Sequence, residues 1–142
     1  DGLVYTAVRR WIAPRDCSIS ISGTIEHSAE AGDGVRARII SSREGEIGFW
    51  PVYHEKKEMS IAKIQVKKGE TIDFVVDCHQ DTNSDSFNWA PRIQELGDKD
   101  AKLANWNSKE QFSGPKELPK PLNAFEKYAQ VILMSNELAF VD

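Results

Sequence analysis

The chain has 142 residues, a length suited to one domain with a sizeable core, and its 18 basic and 22 acidic side chains leave a net charge of −4. That mild acidity argues against non-specific nucleic-acid binding, which needs a basic face, so no nucleic-acid partner is expected. No apolar run reaches the roughly 18 residues that span a bilayer, so no membrane span is expected.

The chain opens abruptly on DGLVYTAVRRW, without a basic and apolar secretion pattern. It is either a mature chain or a piece of a longer one, and the opening says nothing about compartment. Trp11, just before Ile12-Ala13-Pro14, is expected in the core. From residue 17 the pattern is β. CSISISGTI (17–25) alternates Ile19, Ile21 and Ile25 against Ser18, Ser20 and Ser22, the period of a half-buried strand. Asp33-Gly34 is a turn or hairpin signal. After it, Val35, Ala37 and Ile39 share one face, and Arg36 and Arg38 the other. SREGEIGFWPV holds a Gly-broken bend and an aromatic strand. HEKKE (54–58) reads as a solvated turn, SIAKIQV (60–66) as a strand, and KKGE (67–70) as another turn. TIDFVVDC (71–78) is the strongest strand, and WAPRIQEL (89–96) predicts one more, with Trp89 in the core.

Several short strands separated by Gly- and Asp-containing turns predict a mainly β protein: an antiparallel β-sandwich of jelly-roll type over residues 1–98. Residues 99–121 are polar and Pro-rich, without a sustained period, and read as a long connection. In residues 122–142, Phe125, Tyr128, Ala129, Ile132 and Leu133 follow the spacing of an amphipathic helix, and Pro121 suits a first helical turn. That helix and the tail, including Leu138, are expected to pack on the sandwich or on a parent domain.

Cys17 and Cys78 belong to no C-x-x-C, and Cys78-His79 lacks the second Cys of a haem attachment motif, so no haem is expected. Laying CSISISG antiparallel to TIDFVVDC sets Cys17 against Cys78, Ile19 against Val76, Ile21 against Phe74 and Gly23 against Ile72, all on one face. Neighbouring strands in that register would allow a Cys17–Cys78 disulfide; the competing expectation is two buried free thiols.

The stretches AVRRWIAPRDCSISISGTI, GDGVRARIISSREGEIG, KKGETIDFVVDC and DSFNWAPRI resemble the C-terminal β-sandwich of large planctomycete-type proteins. Those proteins carry a c-type cytochrome domain and planctomycete-specific domains. The ending EKYAQVILMSNELAFVD is similar to the close of the last of them. GETIDFVVD and DSFNWAP are also similar to jelly-roll carbohydrate-binding modules. The resemblance implies a periplasmic or extracellular module that is not an enzyme, with neighbouring domains of a longer parent protein as partners. It supplies no ligand. Cys17 stands where the resemblance leads one to expect Gly or another small residue, so a disulfide would be specific to this chain.

Candidate site residues follow from side-chain chemistry. Asp81, Asn83 and Asp85 repeat the alternating oxygens of a calcium loop, but Ser86 stands where glycine is expected and the closing Glu is missing. An Asx-rich turn is the competing account, with structural calcium as the second. Trp50, Tyr53 and Trp106 sit in polar or turn-rich surroundings where exposed rings can stack on sugars. Arg36 and Arg38 offer guanidinium forks to acidic groups of a glycan, unless Asp73 and Asp77, of matching outward parity, take them as cross-strand pairs. His27, His54 and His79 lie in separate turns, with no nucleophile elbow or His-x-x-x-His pair. The expected function is a non-catalytic module binding a polysaccharide. The alternative is a structural module that docks the rest of its parent and binds no glycan.

Overall fold

The computed structural model describes residues 5–80, 82–97, 102–112 and 123. Asp81 and, except for Asn123, the region expected to be the C-terminal helix lie outside the described residues. Among the described residues, nine strands follow in chain order: β1 Thr6–Ile12, β2 Cys17–His27, β3 Val35–Ser41, β4 Gly45–Val52, β5 Glu55–Val66, β6 Thr71–Asp77, β7 Phe87–Trp89, β8 Arg92–Leu96 and β9 Asn105–Asn107. They build two antiparallel sheets. One has the order β1-β6-β3-β4; the other runs β5-β2-β8-β9, with β7 also paired to β2. The protein is mainly β, as the alternating pattern predicted.

Inward residues of both sheets meet in one cluster. Trp11, Ile39, Ile72 and Phe74 come from the first sheet; Ile19, Ile21, Met59, Ile64, Val66 and Ile93 come from the second. A second cluster joins Ile25, Val35, Ala37, Val52 and Val76, and the half-buried Trp50 and Trp89 pack against both. Trp11 is buried, as expected from its place before Ile12-Ala13-Pro14. Removing such side chains from water is the main force holding the two sheets together.

Several details differ from the sequence expectation. Asp33-Gly34 does not close a hairpin: β2 and β3 lie in different sheets, so this segment crosses between them. Gly34 has φ 81°, and a Cβ there would approach the Val52 carbonyl oxygen to 2.5 Å, so only glycine fits without strain. Apart from His54, which lies in the bend before it, the HEKKE run is not a turn but the first part of β5, an edge strand that tolerates its charges because one side faces water. WAPRIQEL is split at Ala90-Pro91 into β7 and β8. Pro91 has no N–H for the ladder, and Gly23 on β2 lets it approach: a Cβ there would lie 3.0 Å from the Pro91 Cα. β1 and the three-residue β9 are further strands, β9 inside the stretch expected to be pure connection.

The proposed neighbours β2 and β6 belong to different sheets. β2 pairs with β5, β7 and β8, whereas β6 pairs with β1 and β3. Ile19 therefore lies opposite Ile64, not Val76, and Cys17 opposite Val66, not Cys78. Both cysteines are free thiols, Cys78 buried and Cys17 half-buried. Alternation fixes which side chains turn inward. Two sheets that share a core both satisfy it, so parity cannot separate a ladder neighbour from a residue facing across the core. Thiol titration of the unfolded chain without reductant should therefore give two thiols per molecule, and the melting temperature should not respond to reductant. A disulfide recovered between Cys17 and Cys78 would contradict this pairing.

Candidate functional site

The outer side of β8 and β9 carries polar residues in register. Arg92 faces Asn107, Gln94 faces Asn105, and across β2 the same rows continue to Ser22 and Ser20. Trp106, between the two asparagines, has the opposite parity and pairs with Ile93. Its ring turns inward and meets Trp11 edge-to-face at 5.2 Å, yet stays half-buried rather than enclosed. The turn after β9 is tied down locally. Asn107 Oδ1 accepts the N–H groups of Lys109 (3.0 Å) and Glu110 (3.1 Å), and the Asn107 N–H donates to Gln111 Oε1 (2.9 Å). Such side-chain bonds to nearby backbone are what favour Asn at a turn. The Ser108 N–H donates to the Pro91 carbonyl (3.1 Å), fastening this turn to the β7–β8 break. The result is a groove of about 500 Å³ whose walls include Arg92, Asn105, Trp106, Asn107 and Gln111. Ser108 also lines it, and its hydroxyl is buried without a hydrogen-bond partner among the described residues.

Glu95 positions β9. Its carboxylate accepts two bonds from Arg15, at 3.0 and 2.5 Å, and a third from the Ala104 N–H at 3.0 Å, while its own N–H donates to the Ala104 carbonyl. The Arg15 hydrogen bonds, then the Ala104 bond, hold the Glu95 carboxyl below the usual carboxylate range. Cys17 nearby is pushed up, first by burial and then by the Glu95 charge.

The residues expected to bind ligand are not brought together. Trp50, on β4 of the first sheet, lies flat over its own strand: a Cβ on Gly48 would strike the ring at 2.1 Å. Its ring packs against both core clusters. Tyr53 is 49% exposed, but its hydroxyl donates to the Glu30 carbonyl (2.6 Å). Trp106, by contrast, lines a groove together with hydrogen-bonding side chains. Arg36 and Arg38 are taken by their competitor. Arg36 Nε donates to Asp77 Oδ1 (2.6 Å), and Arg38 lies 3.2 Å from Asp77 Oδ2. Asp73 instead takes both forks of Arg10, at 2.7 Å each. Trp89 has a structural role, donating Nε1–H to Met59 Sδ (3.0 Å) and meeting Phe74 edge-to-face.

The loop bearing Asn83 and Asp85 is a turn with Ser84 at φ 63°. It packs down on the fully buried His27. The His54 N–H donates to His27 Nδ1 (3.2 Å), so in the neutral ring Nε2 carries the hydrogen and donates to the Ser84 carbonyl (3.0 Å). Two of the three histidines thus meet at one end of the molecule, which their separation in sequence concealed. Among the described residues, no three His, Cys, Asp or Glu side chains form a group that could hold a metal.

A second cleft, of about 570 Å³, opens between β1 and β7. Its walls include Ala7, Arg9, Phe74, Val76, Phe87 and Trp89. Arg9 crosses it to donate to the Ser108 carbonyl (3.0 Å). The residues that surround Trp106 were not singled out from sequence, although NWN at 105–107 carried a signal: alternation sends both amides to the face opposite the ring. Comparisons with models of known families, with curated proteins and with solved structures find no match.

Glu95 gives a pH test of the groove's support. A depressed folded-state value means that its stabilisation is present above the ordinary Glu range and is lost as pH falls through that lower value. Glu95→Gln should lower the melting temperature by a few degrees near neutrality, and the gap to wild type should close as pH falls below the ordinary Glu range. A gap that stays constant with pH would rule out this linkage.

Proposed function

We propose that this chain is a non-catalytic binding module that takes a polysaccharide in the Trp106 groove. The observation that carries this is one groove lined by the half-buried Trp106 together with Asn105, Asn107, Gln111 and Arg92, beside a turn held by local hydrogen bonds. Sugars present apolar ring faces and a rim of hydroxyls. A half-buried indole with the Asn105 amide and the Arg92 guanidinium at the same groove offers both kinds of contact, and a site held by local hydrogen bonds costs little ordering on binding. Arg92 makes glycans with carboxylate or sulfate groups the favoured class.

In the same proposal the two sheets form a sandwich of jelly-roll type. Support comes from the chain path: β1 and β3 both pair with β6 in one sheet, while β2 between them in sequence lies in the other. The module belongs to an extracytoplasmic protein of the planctomycete type whose sandwich it resembles.

The test is binding of the 142-residue chain to a panel of neutral and acidic polysaccharides, with and without a calcium chelator. Saturable binding to an acidic member is expected, weakened about 3- to 10-fold by Asn105→Ala and at least as much by Arg92→Ala. Both residues are exposed, so neither substitution should disturb the fold. Trp106→Ala should weaken binding too, but it also removes the contact with Trp11, so its melting curve must be measured alongside. Loss of binding with chelator would bring the Asn83–Asp85 loop into the mechanism. Absence of binding to every member, or affinity unchanged in both the Asn105 and Arg92 variants, would exclude this site.

A further inference from the structure

Sheet edges are where a β protein can accept another chain, because one side of the strand keeps its N–H and C=O groups unpaired. Among the described strands, β1 and β4 flank the first sheet, and β5 and β9 the second. Three of these edges carry features that discourage pairing. β4 contains Pro51 and a register shift opposite Ile39/Ile40. β5 carries Lys56, Lys57 and Lys63 and a shift opposite Ile19/Ile21. β9 has only three residues. β1 differs: seven residues run in unbroken register with β6, from Thr6–Asp77 to Ile12–Thr71, with no proline. Val8 and Ile12, on its outer face, are 58% and 46% exposed.

Among the described residues, part of the inner face of β1 is also open. Ala7 and Arg9 share the parity of the buried Trp11, yet both are exposed, because they open onto the 570 Å³ cleft. The charged side chains lining that cleft are Arg9, Lys56 and Lys109 against Glu26, a positive excess in a chain whose net charge is −4. The Arg9–Arg10 pair also bears on self-association. Any antiparallel β1–β1 pairing that overlaps the strand fully sets arginine against arginine, and like charges directly opposite are destabilising.

We propose that β1 is a strand-addition site for an extended segment of a partner protein, with acidic side chains alternating with apolar ones. Backbone pairing along β1 supplies affinity. The acidic side chains turn into the cleft toward Arg9, Lys56 and Lys109, and the apolar ones lie beside Val8 and Ile12. The β1 cleft adjoins the Trp106 groove and shares Ala90, Pro91 and Lys109 with it, but the pairing strand and its Val8 and Arg9 do not line that groove, so failure here leaves the glycan proposal untouched.

The probe is a labelled heptapeptide alternating valine and glutamate, titrated into the full chain by fluorescence anisotropy, with amide hydrogen exchange followed in parallel. Saturable binding should slow exchange within Thr6–Ile12. Arg9→Glu and Val8→Glu should each weaken binding by roughly tenfold or more. A valine–lysine peptide should not bind, and neither should the valine–glutamate peptide N-methylated at alternate residues. The proposal is overturned if the probe does not bind, or if the lysine or N-methylated peptide binds equally well. It is also overturned if β1 amides in the free chain already exchange as slowly as those of β6, which would mean that the chain covers its own edge. Concentration-dependent dimerisation that protects β1 would assign the edge to a second copy and overturn it likewise.

Discussion

Strand β2 pairs along nearly its whole length with β5 on one side, while on the other its partner changes from β8 to β7. The change falls at Gly23, where Ala90-Pro91 comes close enough that even a methyl group would press on the Pro91 Cα. Proline forces the interruption, since it has no N–H to give, and glycine makes room for it. The consequences spread from there. The Pro91 carbonyl, free of the ladder, accepts the Ser108 N–H, and the Ser108 carbonyl accepts from Arg9. Gly23, Pro91, Ser108 and Arg9 thus form a continuous path from the middle of one sheet to the edge strand of the other. The Trp106 groove lies on one side of this path and the β1 cleft on the other, with Ala90, Pro91 and Lys109 lining both.

Charge placement follows the same economy of position. On the outer face of the first sheet, Asp77 sits nearly buried between Arg36 and Arg38, and Asp73 is held by Arg10. These arginines face outward and look free in sequence, but an aspartate at the matching parity of the next strand meets them before any ligand can. Arg38 also lies over the Phe49 ring at 5.5 Å, which covers part of its guanidinium. Exposed pairs of this kind add little to stability; the nearly buried Asp77 would be costly to leave unpaired. Arg92 has a different setting. Its register partners are Ser22 and Asn107, neither of them an acid, and that leaves it the better candidate for an anionic ligand.

Much of the fold was legible because burial follows period two. Ile19, Ile21, Ile25, Val35, Ala37, Ile39, Ile72, Phe74 and Val76 all turn inward, as their alternation required. Pairing was not legible, because two sheets sharing one core impose the same alternation on strands that never touch. Hence Cys17 and Cys78 looked like ladder neighbours and are not. β1 was obscured because Ala7 and Arg9, on its inward side, lie over a cleft and need not be apolar. β9 was too short for any period to show. The segment 82–85 is a turn, with Asp81 outside the described residues, and its Ser84 carbonyl meets a histidine more than fifty residues away in sequence.

The candidate site was legible only in its ring. Sequence surroundings nominated Trp50, Tyr53 and Trp106 alike, because polar neighbours were taken as a sign of exposure. What separates them is what lies under each ring. Trp50 folds onto Gly48, whose missing side chain leaves a slot that the indole fills, so it is spent on the core. Tyr53 closes a bond to Glu30. Trp106 meets Trp11 edge-to-face and stays half-buried, lining a groove that Asn105 and Arg92 also line. A ring anchored on one side and open on the other is rigid before any ligand arrives. That is the property a binding platform needs, and a freely exposed side chain lacks it because its rotamers must be frozen on binding.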